Sequence, residues 1–211
     1  ISSGINCIFY GSMSNNFCSG EFIESNPFVT VQLNENDTKI KLCSKLIGSY
    51  NTSNILAAAC VGKYFGIPSP VIAVAINEFI PENNRSQLKQ TAKNTLLLDA
   101  YNANPSSMEA SISNFKLMNA EHKIAILGEM FELGDVSKME HFKLYDHVTK
   151  AGFEHIFIVG NWHLNPINKN VTCFENTTSL IDYIKSNPID GKTILIKGSR
   201  GNKLESVIEY L

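Results

Sequence analysis

Two rhythms of apolar and polar residues divide the chain. Up to Ile47 the pattern is β-like: Ile5–Tyr10, Phe28–Leu33 and Thr38–Leu46 alternate or run apolar, separated by Asn, Gly, Ser and Pro clusters. Asn34–Asp37 reads as a polar hairpin-type connection between the second and third runs. Ile47–Asn54 is a turn leading into a helix, with Ile55, Ala58, Ala59, Gly62 and Phe65 on one small-residue face suited to a sheet. Gly66-Ile67-Pro68 stops that helix. A second is expected from Pro70 to about Phe79, with Val71, Val74, Ala75 and Phe79 inward.

The segment Ile80–Ser86 has no apolar residue after Ile80 and carries a helix-stopping Pro81, which makes it the candidate domain boundary. From Gln87 onward strands and helices alternate. Strands are expected at Leu96–Asp99, Lys123–Leu127, His155–Val159, Val171–Phe174 and Thr193–Lys197. Helices are expected at Pro105–Met118, Ser137–Ala151, Thr178–Ser186 and Asn202–Tyr210. Short apolar strands spaced by helices predict a mostly parallel, doubly wound α/β sheet with helices on both faces. Right-handed crossovers gather the strand ends at Asp99, Gly128, Gly160 and Gly198 along one edge. That edge is where ligands bind in open α/β sheets.

The stretch Thr95–Glu109 concentrates chemistry there. A buried-strand run ends in Asp99, and Tyr101, Asn102 and Asn104 follow within five residues before Pro105 opens a helix. The same residues suit a plain turn and helix cap, with Asn104 as the cap, so the stretch alone leaves both readings open.

Composition narrows the partners. Net charge is −2 with 18% charged residues, and no Lys/Arg run stands out, which gives no basis for nucleic-acid or membrane-surface binding. No apolar stretch is long enough to span a membrane, and no secretory leader is visible. The five cysteines are scattered and never form a CxxC pair, as expected of reduced thiols in a cytoplasmic protein without a zinc site. A start at Ile1, without an initiator Met, suggests a piece of a longer protein.

Three further motifs carry candidate chemistry. Gly191-Lys192-Thr193 superficially suggests a phosphate-binding loop, but Ser186 stands where that loop needs Gly, and the motif precedes a strand rather than a helix. Gly128–Gly134 places Glu129 and Glu132 at a strand's carboxyl end with His141 nearby. Such carboxylates suit a cation or an ammonium group, or simply a helix N-terminus. Lys197-Gly-Ser-Arg-Gly201 follows the last strand and offers Ser199 and Arg200 at an expected helix start, either as an anion site or as a cap beside a solvated Arg.

Five blocks in order, Gly48–Ala59, Asn84-Arg-Ser-Gln, Asp99–Met108, Gly128–Gly134 and Lys197–Gly201, resemble the C-terminal portion of the Mur ligases over essentially the whole chain. The Tyr-Asn-Ala-Asn-Pro and Glu-Leu-Gly blocks resemble the branch that adds D-alanyl-D-alanine to UDP-N-acetylmuramoyl-tripeptide. The resemblance implies that residues 1–83 are the last part of a central ATPase domain and 84–211 a Rossmann-like C-terminal domain. It implies ATP and Mg²⁺ as cofactors, with the phosphate loop and metal-supporting groups upstream of Ile1, so that this piece alone is expected to be inactive. The implied partners are ATP, UDP-N-acetylmuramoyl-tripeptide and D-alanyl-D-alanine, acted on by a monomer. It implies adenine near Asn51 and Asn54, with Arg85, Asp99, Tyr101 and Asn102 toward the nucleotide. It further implies Asn104, Lys197, Ser199 and Arg200 toward the incoming amino-acid substrate, with no catalytic or metal-binding residue assigned. Tyr50 departs from the His frequent at that place in the family. The rival readings are a dinucleotide-binding domain of an oxidoreductase, which lacks its Gly-rich turn here, and a non-catalytic scaffold module.

Overall fold

The computed structural model describes residues 4, 6–35, 38–82, 84–163 and 168–211. Ile5 of the first expected strand, residues 36 and 37 of the expected hairpin connection, and Asn83 at the expected boundary lie outside them. The chain divides into two compact units, Ile1–Ile80 and Pro81–Leu211.

The first unit is a sheet of order β1-β2-β3-β4 with two helices. Strands β2 (Cys18–Ser25), β3 (Phe28–Glu35) and β4 (Thr38–Ile47) pair antiparallel, and the two-residue β1 (Tyr10–Gly11) adds in parallel. The expected strand at Ile5–Tyr10 is therefore a correction: among the described residues of that run only Tyr10 is in a strand, and Cys18–Ser25, missed by pattern, takes the place beside β3. The reason lies in burial. Only the first three residues of β2 are buried, a register shift falls at Phe22–Glu24, and no alternation survives for the eye to find.

Helices α1 (Thr52–Tyr64) and α2 (Ser69–Glu78) cover this sheet. Cys18, Val29, Val31, Leu33 and Leu42 pack against Ile55, Leu56, Ala59 and Cys60 of α1 and Ile72 and Ala73 of α2. Both inward faces differ from those expected. Ala58 and Phe65 are exposed, as are Val71, Val74 and Phe79, because these helices are apolar on several sides and periodicity cannot choose among them.

The second unit is a sheet of order β5-β6-β10-β7-β8-β9. Strands β6 (Thr95–Asp99), β7 (Lys123–Gly128), β8 (His155–Val159), β9 (Val171–Phe174) and β10 (Thr193–Lys197) are parallel. The edge strand β5 (Gln87–Gln90) is antiparallel; its alternation is too short and too polar to have been expected. Helix α5 (Thr177–Ser186) and the final 3-10 segment Leu204–Tyr210 cover one face, with Leu180, Ile184, Leu204 and Val207 packed on Leu96, Leu98, Ile126 and Ile196. The intervening strand residues Leu97, Ala125, Leu127 and Leu195 are buried on the other face. There α3 (Pro105–Leu117), packed on β10, and α4 (Ser137–Thr149) lie against each other. The helix expected at Asn202–Tyr210 is 3-10 instead, entered through Lys203 in the left-handed region at φ 52°.

Insertion of β10 between β6 and β7 decides where a crevice can form. The chain leaving β6 turns to one face as α3, whereas the chain leaving β10 turns to the other as the 3-10 segment. Diverging exits of adjacent parallel strands open the sheet's carboxyl edge between them.

Candidate functional site

At that divergence Asp99 closes β6 and Lys197 closes β10, directly opposite each other in register. The Lys197 ammonium donates to Asp99 Oδ2 at 2.7 Å, to the Asn102 carbonyl at 3.2 Å and to the Asp99 carbonyl at 3.4 Å. It is 2% exposed, so three donors meet three acceptors with the charge removed from solvent. The other Asp99 oxygen accepts a long bond of 3.4 Å from the Ser86 backbone N–H, and the Asn84 carbonyl accepts from Ala100 N–H at 3.0 Å. Segment 84–86 is thereby laid over the strand end. It does so with Asn84 and Ser86 at φ 56° and 47°, conformations that an Asn and a small polar residue tolerate better than most.

This backbone course carries Arg85 to Tyr101, where its guanidinium lies 3.5 Å from the ring centroid. Arg200, from the loop after β10, lies 5.6 Å from the same ring. Two guanidinium groups thus share one half-exposed aromatic ring above the crevice, an arrangement that suits an anionic ligand group. Three neighbouring polar side chains serve the local fold. The Asn102 side-chain oxygen accepts from Ala103 N–H, and Asn104 caps α3 by a capping box with Ser107, its Oδ1 accepting from Ser107 N–H at 2.9 Å. Ser199 Oγ, buried, accepts from Phe131 N–H at 3.0 Å. The helix start expected at Ser199–Arg200 is only a three-residue 3-10 turn, Arg200–Asn202, which supplies no aligned helix dipole.

The neighbouring loop after β7 is braced from three sides. Glu129 Oε2 accepts from Asn161 N–H at 2.8 Å, which spends that carboxylate oxygen on the loop after β8. Glu132 is exposed at φ 65°. His141 is fully buried, its Nε2 accepting from Met130 N–H at 3.0 Å. The proton must then sit on Nδ1, which donates to the Ser137 carbonyl at 2.8 Å. Burial holds this imidazole below its ordinary pKa, against the opposing pull of the Ser137 bond and of Glu129, so it is neutral near pH 7. Its ring packs 5.0 Å from Trp162. His141 is a scaffold for the loop that holds Glu129.

Pattern reading missed Asn202. Its side-chain nitrogen donates to the Glu129 carbonyl at 2.8 Å and to the Ser199 carbonyl at 3.0 Å, and its carbonyl accepts from Thr177 Oγ1. One residue therefore ties the loops after β7 and β10 to the start of α5. A lone Asn in a loop gives no sequence signal for this, because the partners it ties together, Thr177 and Glu129, lie 25 and 73 positions away.

In the first unit Asn51 is buried, donating to the Ile47 carbonyl at 2.8 Å and accepting from Asn54 Nδ2 at 2.9 Å. Asn54 is exposed and lines a cavity of about 500 Å³ walled by Leu46, Ile55, Ala58, Val71 and Phe79. Among the described residues no group of three or more His, Cys, Asp or Glu is placed to hold a metal ion. Nor is any helix among them long and apolar enough to cross a membrane.

Comparison with known proteins gives these residues a family. The model of the Mur ligase, glutamate ligase domain matches residues 84–200. UDP-N-acetylmuramoyl-tripeptide–D-alanyl-D-alanine ligase of Buchnera aphidicola subsp. Acyrthosiphon pisum is 32% identical over 178 residues, covering 82% of this chain and 39% of that protein. The Bacillus subtilis enzyme of the same name is 30% identical over 176 residues, covering 79% and 38%. The solved UDP-N-acetylmuramoylalanyl-D-glutamyl-2,6-diaminopimelate–D-alanyl-D-alanyl ligase from Acinetobacter baumannii superposes with a TM-score of 0.83 at 20% identity, over 96% of this chain and 45% of that one. MurF ligase from Thermotoga maritima, solved in complex with ADP, gives 0.74 at 18% identity, over 96% and 47%. At such identities the structural likeness is one of fold, and the chain spans less than half the length of the curated relatives it matches. With more than half of its residues under the family model, the chain belongs to the Mur ligase family.

Proposed function

We propose that this chain is part of an ATP-dependent ligase that joins D-alanyl-D-alanine to UDP-N-acetylmuramoyl-tripeptide. Residues 1–83 would be the last part of its central ATPase domain and 84–211 its C-terminal domain. The observation that carries the reading is the β6–β10 crevice: Asp99 with one weakly engaged oxygen, beside Tyr101 and two guanidinium groups. The names of its relatives support the choice of substrates.

The chemistry is activation of a poor acyl donor. ATP phosphorylates the tripeptide's terminal carboxylate, the amine of D-alanyl-D-alanine attacks the acyl phosphate, and phosphate departs. Catalysis then consists mostly of positioning and charge neutralisation. On this reading Asp99 accepts from the ribose hydroxyls, and Arg85 with Tyr101 borders the nucleotide. Arg200 is exposed and placed to clamp the carboxylate of the incoming dipeptide. Asn54 offers an amide to adenine at the rim of an apolar cavity, with Asn51 holding that amide by its side-chain oxygen. Mg²⁺ neutralises phosphate charge in such reactions, but the described residues do not provide a cluster to hold it. The reading also makes the protein a cytoplasmic monomer.

The test is kinetic, in the ligase that carries these residues. ADP release should require both UDP-N-acetylmuramoyl-tripeptide and D-alanyl-D-alanine. Asp99→Ala should raise the KM for ATP while leaving that for the dipeptide nearly unchanged. ADP release supported equally by a single D-amino acid, or an unchanged KM for ATP, would overturn the assignment.

A further inference from the structure

We infer that Lys197 is a positioning residue, whose ammonium sets the Asp99 carboxylate and the Asp99–Asn102 turn for the nucleoside end of ATP. The inference rests on the reading above, and it replaces the direct substrate contact expected for this lysine from sequence. A group that is 2% exposed, with all three N–H donors engaged within its own fold, has nothing left to offer a substrate.

The cost of the arrangement argues that it has a use. Removing an ammonium and a carboxylate from water is expensive, and a well-packed apolar pair of the same volume is often as stable or more so. An apolar side chain ends the neighbouring run on β7, where Leu127 stands opposite Lys197 on its other side. What an apolar residue cannot do is fix a turn. Lys197 holds two carbonyls separated by Ala100 and Tyr101, those of Asp99 and Asn102, and so sets the path of the backbone between them. That path aims the Tyr101 ring on which Arg85 lies. The same ammonium takes Asp99 Oδ2, which leaves Oδ1 as the freer oxygen, engaged among the described residues by the 3.4 Å contact from Ser86 N–H. A single oxygen with spare lone pairs is what a pair of ribose hydroxyls would address.

The test separates acting through Asp99 from merely filling space. In the ligase, Lys197→Met should raise the KM for ATP by about tenfold or more, the size of one charge-assisted hydrogen bond, and leave kcat within about twofold. Lys197→Arg should recover most of that loss. Because the charge-assisted bond to the Asp99 carboxylate carries most of the effect, Asp99→Asn combined with Lys197→Met should show a KM within about threefold of that of Asp99→Asn alone. Amide exchange over Ala100–Ala103 should accelerate in Lys197→Met while that of β7 stays unchanged. Should the unpaired carboxylate prevent Lys197→Met from folding, the comparison of Asp99→Asn with the neutral double variant still decides. Equal KM values support the inference, and a further rise of threefold or more overturns it. Failure of this inference alone is recognisable: Asp99→Asn raises the KM for ATP and Lys197→Met does not. If Asp99→Asn has no effect either, the nucleotide reading of the crevice falls first and takes this one with it.

Discussion

Replacing His141 by Phe tests the brace beneath the candidate site. The ring volume is nearly kept, so the change isolates the hydrogen bonds of the imidazole: Met130 N–H to Nε2 at 3.0 Å, and Nδ1–H to the Ser137 carbonyl at 2.8 Å and Oγ at 3.2 Å. Ser137 lies at the first turn of α4 and its carbonyl can recover partners. Met130 is 1% exposed, and its N–H would be left buried without an acceptor. That costs about 1–3 kcal/mol at neutral pH. With a urea m-value of about 2 kcal/mol/M, 2 kcal/mol lowers the unfolding midpoint by about 1 M.

The pH dependence adds a second, independent reading. Burial depresses the His141 pKa, so the unfolded chain takes up a proton first as pH falls below the ordinary value of 6.5. Wild-type stability therefore drops below pH 6.5, at up to about 1.4 kcal/mol per pH unit from this residue, until the lowered folded pKa is reached. His155 is depressed in the same direction by burial and remains in both proteins. The Phe variant lacks the His141 share, so the stability gap between the two should narrow on acidification. Urea unfolding at pH 7.5 and again near pH 5.5, followed by tryptophan fluorescence, measures both effects; Trp162, the single Trp of the chain, packs on His141 and reports locally. A gap that stays constant with pH, or no loss at pH 7.5, refutes the neutral, hydrogen-bonded assignment.

Three further outcomes are expected. Gly198→Ala would place a Cβ 2.8 Å from Gly128 Cα and 3.0 Å from Gly128 N, so β7 and β10 must separate, at about 1–3 kcal/mol in urea unfolding; an unshifted midpoint would contradict that close approach. Asn104→Ala removes a capping box and should cost about 1 kcal/mol, as should Asn176→Ala, which caps α5 in the same way. A tenfold rise in the KM for D-alanyl-D-alanine in Asn104→Ala, without loss of stability, would instead return Asn104 to substrate binding. Lys192 and His122 hold the Glu154 carboxyl below its ordinary pKa, so their contribution is present above pH 4.5 and fades as pH falls through the lowered value. The cluster is exposed, and Lys192→Gln should matter little in high salt by differential scanning calorimetry.

The core strands and helices of the second unit were legible because their signals are local. Apolar runs of four to six residues, and Pro105 with Asn104 at a helix start, each announce an element without knowledge of its neighbours. The misreadings fell where local signals are silent or ambiguous. The strand Cys18–Ser25 is buried only at one end, and β5 is half exposed throughout, so neither alternates. Helices α1 and α2 are apolar on more than one side, and the sheet they meet selected the faces.

The candidate site divides along the same line. Sequence alone determined that Asp99 would end a strand, that a turn rich in Tyr and Asn would follow, and that Lys197 would end another strand, because strand ends and caps are written in neighbouring residues. It could not rank these side chains by availability. Only the strand order brought Lys197 opposite Asp99 across nearly one hundred positions, turning an expected ligand contact into an internal ion pair. Only the folded loops put Arg85 and Arg200 on one Tyr101 ring, and gave Asn202, His141 and Ser199 to bracing backbone. The physical reason is that propensity and capping act over a few residues. Which polar atoms remain for a ligand depends on partners supplied by distant parts of the chain.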